Sequence, residues 1–177
     1  HAGCEAAHAA ARLGARTLML TLNPDRIGYM SCNPAMGGLA KGQLIKEIDA
    51  LGGLMGRQTD CAAIQYRQLN ESKGPAVRSS RAQCDKGIYA AEMQRTIASV
   101  PGLTVVAGEA EALELERGQV AGIRLGTGEV LQARAVVVTS GTFLGAVMHR
   151  GEAQEPGGRA GDRAAMGLSS WLKRAGL

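Results

Sequence analysis

His1-Ala2-Gly3-Cys4-Glu5-Ala6-Ala7 opens an alanine-rich segment that ends at Gly14, and no other stretch limits the available folds so strongly. Ala2, Ala6, Ala7, Ala9, Ala10 and Ala11 give a helix with a small face, which suits close packing against a sheet. A glycine at the start of such a helix matches the last glycine of a dinucleotide loop. That glycine lets helix and strand approach, while the helix N-terminus aims its amides at phosphate. Gly3 fits the role, and the strand and glycines that belong before it would precede His1. The expectation is a piece of a longer chain whose β-α-β unit lacks its first strand. The competing reading is an ordinary packed helix.

The rest of the chain extends this unit. Thr17-Leu18-Met19-Leu20 predicts a short buried strand after the Gly14 stop. A ribose-binding acid often ends that strand, but Thr21 stands here, with Asn23 and Asp25 beyond, which weakens a plain NAD reading. Residues 23–42 form a long Gly/Pro/Asn/Ser loop, of a length that is usually functional. Leu44, Ile45, Ile48 and Leu51 predict a helix closed by Gly52-Gly53. Ala62 to Leu69 reads as a strand, 70–75 as a turn and Ala82 to Val100 as a helix. Short strands at 103–106, 112–116, 120–125 and 130–133 predict a β-meander. The apolar run Ala135-Val136-Val137-Val138-Thr139 predicts a parallel strand covered on both faces. A Gly-rich loop at 151–167 then leads into a helix near Leu168.

Composition narrows the function classes. With 45% hydrophobic and 20% charged residues, and no apolar run near the roughly 20 residues that span a bilayer, a membrane protein is not expected. Only five residues are aromatic against 25 glycines, so any RNA contact should be electrostatic rather than stacked. The charge of +4 is concentrated: residues 67–86 carry five basic residues against two acids. Cys4, Cys32, Cys61 and Cys84 show no C-x-x-C spacing and the histidines stand alone, so no metal site is expected. Reduced thiols fit a cytoplasmic protein, and Cys4, Cys61 and Cys84 read as packing residues.

Five segments stand in a fixed order: the half dinucleotide loop, Ser31-Cys32-Asn33-Pro34-Ala35-Met36-Gly37-Gly38, Lys73-Gly74-Pro75-Ala76-Val77-Arg78, Val136-Val137-Val138-Thr139-Ser140-Gly141-Thr142-Phe143, and Gly157-Gly158-Arg159. With Glu47 to Met55 and Ser72 to Asp85, this order resembles the MnmG (GidA) family of tRNA wobble-uridine modification flavoproteins, over 1–172 and over only the N-terminal part of a family member. The resemblance implies an α/β fold: a doubly wound, Rossmann-like FAD/NAD(P)-binding domain lacking its first strand, with an inserted α+β segment and a β-meander. Its divisions would be 1–55, partial FAD-binding domain; 56–102, inserted segment facing substrate or RNA; 103–134, meander; and 135–177, return to the FAD-binding domain.

The resemblance further implies FAD, NADH and methylenetetrahydrofolate as cofactors, tRNA as substrate, the GTPase MnmE as partner, and a homodimer. The reaction would add an aminomethyl or carboxymethylaminomethyl group to C5 of the wobble uridine. His1, Ala2 and Gly3 would complete the FAD pyrophosphate loop. Ala110 would meet the adenine end through its backbone, and Gly141 would follow the returning strand beside the cofactor. The family often has a serine contact to FAD near position 165, but Ala165 leaves only a backbone contact. Cys32 would act on the uridine or the one-carbon unit; the residue type alone also fits a small packing residue in a glycine-rich turn. Lys41 could hold phosphate or a flavin ring oxygen, or face water. Lys73, Arg78 and Arg81 could meet tRNA phosphate, or form a solvated face. Two rivals remain: a folate- and FAD-dependent tRNA uridine methyltransferase of the TrmFO type, and a non-catalytic RNA- or partner-binding module.

Overall fold

A computed structural model describes residues 1–30, 33–156 and 166–176. The architecture is α/β. Helix α1 (Ala2–Arg12) leads to β1 (Thr17–Thr21); β2 (Ala35–Gly37), α2 (Lys41–Ala50), α3 (Met55–Ala62) and β3 (Ala63–Leu69) follow. Next come β4 (Ser79–Cys84), α4 (Lys86–Ser99), β5 (Leu103–Ala107), β6 (Ala110–Glu116), β7 (Gln119–Leu125) and β8 (Val130–Gln132). The chain ends with β9 (Val147–Arg150), β10 (Ala153–Pro156) and α5 (Met166–Arg174).

It forms two compact units, 1–19 with 23–105 and 20–22 with 106–177. The first is built around α4, whose Tyr89, Met93 and Ile97 recur every four residues and are fully buried on one helix face. Cys4, Leu54, Ala82 and Cys84 join them, and α1 contributes its own i, i+3, i+4, i+7 stripe of Cys4, Ala7, His8 and Ala11. In the three-stranded antiparallel sheet β2-β4-β3, Met36 and Ala82 face this core. The second unit holds the antiparallel meander β6-β7-β8, the β9-β10 hairpin and α5, with Leu125 and Leu168 buried.

Several expectations need correction. β1 forms but is not buried, since Leu18 is 44% exposed, and the stretch expected as loop at 23–42 contains the strand β2. Ala82 to Cys84 is strand, not helix: α4 starts only after Asp85, whose carboxylate accepts from Ile88 N–H at 2.9 Å and so fixes the first turn at Lys86. The strand at 103–107 is outside the meander. Thr17 N–H bonds Gly102 O at 2.8 Å and Gly108 N–H bonds Thr21 O at 2.9 Å, so β5 runs parallel to β1. The apolar run at 135–139 forms no strand, and Val137 is 71% exposed. Apolar composition favours a strand, but only a ladder partner makes one, and no described segment pairs with this run. No helix among the described residues is long and apolar enough to cross a membrane.

Candidate functional site

His1 stands at the N-cap of α1 and makes no side-chain capping bond, and the first backbone bond of the helix runs from Glu5 N–H to His1 O at 3.1 Å. The amides of Ala2, Gly3 and Cys4 therefore have no intrahelical acceptor, and the helix dipole adds to their pull on an anion. Ala2 is exposed and Gly3 half-buried, so the approach is not blocked by bulky side chains of the helix itself.

A carboxylate in the first turn would oppose a bound phosphate, and Glu5 stands there. Its charge is engaged elsewhere: Oε1 accepts from Leu54 N–H at 2.9 Å and Met55 N–H at 2.6 Å, and Oε2 accepts from Leu54 N–H at 3.0 Å. Glu5 thus caps the N-terminus of α3, which otherwise has no cap side chain from its own preceding residue. Gly53 makes room for this, since a β-carbon there would come within 2.8 Å of Glu5 Oε2 and would collide with Ile48. Arg12, at the other end of α1, donates from Nη1 to Gly52 O at 2.6 Å. One helix therefore fixes the α2–α3 connection at two points. Glu5 was legible only as an acidic first-turn residue; its partners lie about fifty residues away.

Tyr89 was not singled out by the sequence. Its ring is fully buried, and its hydroxyl lies 3.4 Å from His1 Nδ1, with the two rings edge-to-face at 5.6 Å between centroids. Burial, and then the neighbouring Cys4 and Glu5, push the phenol up, so it stays a neutral hydroxyl holding the imidazole beside the helix N-terminus. Burial likewise raises the Cys4 and Cys84 thiols, which are packing residues as expected. Cys61 is exposed on α3, contrary to the packing role expected of it. Lys41 is exposed at the start of α2.

His1, Ala2 and Gly3 belong to the first unit, and Ala110 and Gly141 to the second. Ala110 opens β6 and pairs with Leu125, while Gly141 begins a 3-10 turn with φ of +58°, a conformation that favours glycine. Cys32 and Ala165 lie outside the described residues.

The three RNA candidates share the β3–β4 hairpin but differ in situation. Lys73 is exposed in the connecting loop. Arg78 is a loop pin: Nε and Nη2 donate to Glu71 O at 3.2 and 3.0 Å, and Asn70 Nδ2 reinforces the closure by donating to Val77 O at 3.2 Å. Arg81 stands on β4 directly opposite Arg67 of β3. Among the described residues, no group of three or more His, Cys, Asp or Glu side chains could hold a metal ion.

The family model for glucose inhibited division protein A matches residues 1–177. A Myxococcus xanthus protein is 53% identical over the whole chain and one from Geobacter sulfurreducens 52%; both carry the name tRNA uridine 5-carboxymethylaminomethyl modification enzyme MnmG. The chain spans 28–29% of the length of these relatives. The structure of Aquifex aeolicus GidA superposes with a TM-score of 0.93 at 48% identity, over 98% of this chain and 29% of that one. A GidA-related protein from Thermus thermophilus shares the fold, with a TM-score of 0.65 at 22% identity over 97% of this chain and 63% of that one. The chain belongs to the glucose inhibited division protein A family, MnmG being the name its half-identical relatives carry.

Proposed function

We propose that this chain is the cofactor-loop end of an FAD-dependent enzyme that adds an aminomethyl or carboxymethylaminomethyl group to C5 of the wobble uridine of tRNA. The observation that carries the reading is the small-residue first turn of α1, whose Glu5 carboxylate is drawn away into the α3 cap. The donor set fits a pyrophosphate: backbone amides at Ala2 and Gly3, with the first-turn acid Glu5 bonded to α3. His1, Ala2 and Gly3 would hold the pyrophosphate, with Tyr89 fixing the His1 ring. Ala110, Gly141 and the backbone of Ala165 complete the cofactor set proposed from the family. On this reading 1–55 and 135–177 serve a doubly wound FAD domain, 56–102 faces RNA and 103–134 is an appended meander.

When bound, FAD with NADH supplies the redox chemistry, and methylenetetrahydrofolate the carbon. Cys32 is the proposed nucleophile toward the uridine or the one-carbon unit, since a thiol is partly ionised near neutral pH where a serine hydroxyl is not. MnmE as GTPase partner, a homodimer and a cytoplasmic location follow from the same family reading. Half-identity to proteins named MnmG supports this reaction over methyl transfer of the TrmFO type.

The test uses the full-length protein. Gly3→Val places a branched side chain at the pyrophosphate approach and should abolish flavin retention. Cys32→Ser should keep flavin and tRNA binding but lose modified wobble uridine, read by mass spectrometry of tRNA nucleosides. Normal flavin content in Gly3→Val would remove the cofactor assignment, and near-normal modified uridine in Cys32→Ser would remove the nucleophile.

A further inference from the structure

The face of the β3–β4 hairpin that carries exposed Arg67 and half-buried Arg81 poses a problem that the fold itself does not solve. Arg67 and Arg81 are a directly opposed cross-strand pair. Such pairs bring β-carbons to about 4.5–5.5 Å, and like charges in that position destabilise a sheet. Among the described residues of this sheet no acid relieves it: the flanking pairs on the same face are Gln65 with Gln83 and Leu69 with Ser79, and Gly37 of β2 lies across from Arg81. Among the described residues neither arginine forms an ion pair or a side-chain hydrogen bond.

The register cannot slip to separate them. Met36 and Ala82, on the other face, are buried in the core, and a one-residue shift would move them into water and drive Arg81 into the core. Arg78, nearest in sequence, is committed to Glu71 O and holds the loop shape. The result is a doubly cationic patch fixed in register, with neutral amide donors beside it and exposed Lys73 in the adjoining loop.

The geometry points to an RNA phosphodiester clamp in which Arg67 and Arg81 converge on one backbone phosphate, Gln65 and Gln83 donate to neighbouring oxygens, and Arg78 serves only to shape the loop. Two forked guanidiniums at this separation suit one phosphate better than two distant ones, and the anion cancels the repulsion between them. RNA as the source of that phosphate rests on the tRNA reading above. Arg67 was absent from the residues the sequence suggested; it is found only through its cross-strand partner.

The experiment measures tRNA binding by the full-length protein across a salt series. Wild type should bind with a steep salt dependence. Arg67→Gln/Arg81→Gln should flatten the log–log slope by about 0.7–0.9, the value of one lost phosphate contact. Arg67→Lys/Arg81→Lys should keep the slope while weakening binding, since the charge survives and the fork does not. An unchanged slope in the glutamine variant, with wild type binding tRNA, overturns the clamp alone. If the double glutamine variant fails to fold, the same slope test on Arg67→Gln, an exposed position, decides the matter. Absence of tRNA binding by wild type overturns the RNA reading and the clamp with it. Protection of both arginines from phenylglyoxal by inorganic phosphate but not by tRNA, at matched ionic strength, also overturns the assignment to RNA.

Discussion

The two compact units use the same kind of sequence to different ends. In the first, side chains from α1, α3, α4 and β4 converge, and Tyr89, Leu54, Met93 and Ile97 are sealed from water. In the second, the meander and α5 bury Leu125 and Leu168, while Val130, Val137 and Val138 remain exposed. Exposed apolar side chains do not separate them, since Leu13, Leu51 and Ile64 of the first unit are exposed as well; convergence does. Long side chains arriving from several helices close around one another, whereas a three-stranded meander presents faces that a single short helix covers only in part. The first unit also ties its pieces by charge, through Glu5 on α3 and Arg12 on Gly52 O. It follows that the groups around the α1 N-terminus sit on the better-supported half.

The sharpest attempt to break this contrast is Tyr89→Ala. Emptying a fully buried aromatic site should cost about 3–5 kcal/mol. Hydrogen exchange in the full-length protein should speed at 55–62 and 86–99 while 110–132 stays protected. Equal loss of protection at 110–132 would mean the two units open as one, and the contrast would fail.

Glu5→Ala should come next, at about 1.5–3 kcal/mol, because two backbone amides lose a charged acceptor. Glu5→Gln keeps one carbonyl oxygen and should recover part of the loss, read as denaturation midpoints. If alanine and glutamine variants both match wild type, α3 does not depend on α1 for its cap, and the first unit is held by packing alone.

A smaller effect is expected from pH. Burial, and then the Arg12 and Arg57 charges, lower the His8 imidazole below its ordinary 6.5, with Glu5 opposing them. The folded state therefore disfavours the proton, so this stabilisation is present above pH 6.5 and is lost as pH falls from there through the depressed value. His8→Gln should reduce the pH dependence of stability in that window. An identical pH profile would show that His8 does not feel its burial.

The smallest effect should be in the meander. Glu114 accepts from Arg124 Nε at 2.6 Å, but the arginine is solvent-exposed and salt screens such pairs. Glu114→Gln should leave the unfolding midpoint of the second unit almost unmoved, and the small shift should shrink further as salt rises. A shift as large as that of Glu5→Ala would show that the meander, too, relies on charge.

Local features were legible because their causes lie within a turn or two of chain. The alanine face of α1, its stop near Gly14, the period of α2 and the Asn70–Gly74 reversal all follow from neighbours. Where the sequence misled, two propensities competed: 82–84 reads as helix until Asp85 is recognised as the cap that starts α4 one strand later. Family motifs pointed to His1, Ala2 and Gly3, and the structure adds that Glu5, the acid next to them, is bonded to the amides of Leu54 and Met55.

By itself the sequence determined the small-residue start of α1, the helices α1, α2 and α5 and most of α4, the strands β1, β3 and β5 to β8, the concentration of basic residues at 67–86 and the family. Only the tertiary structure decided that Glu5 spends its charge on α3, that Tyr89 reaches His1, that Arg67 faces Arg81, that β5 joins β1, and that the run at 135–139 finds no partner among the described residues. Periodicity and capping are encoded by residues a few positions apart. Pairings across tens of residues depend on register and on which surfaces are buried first, and no local window contains that information.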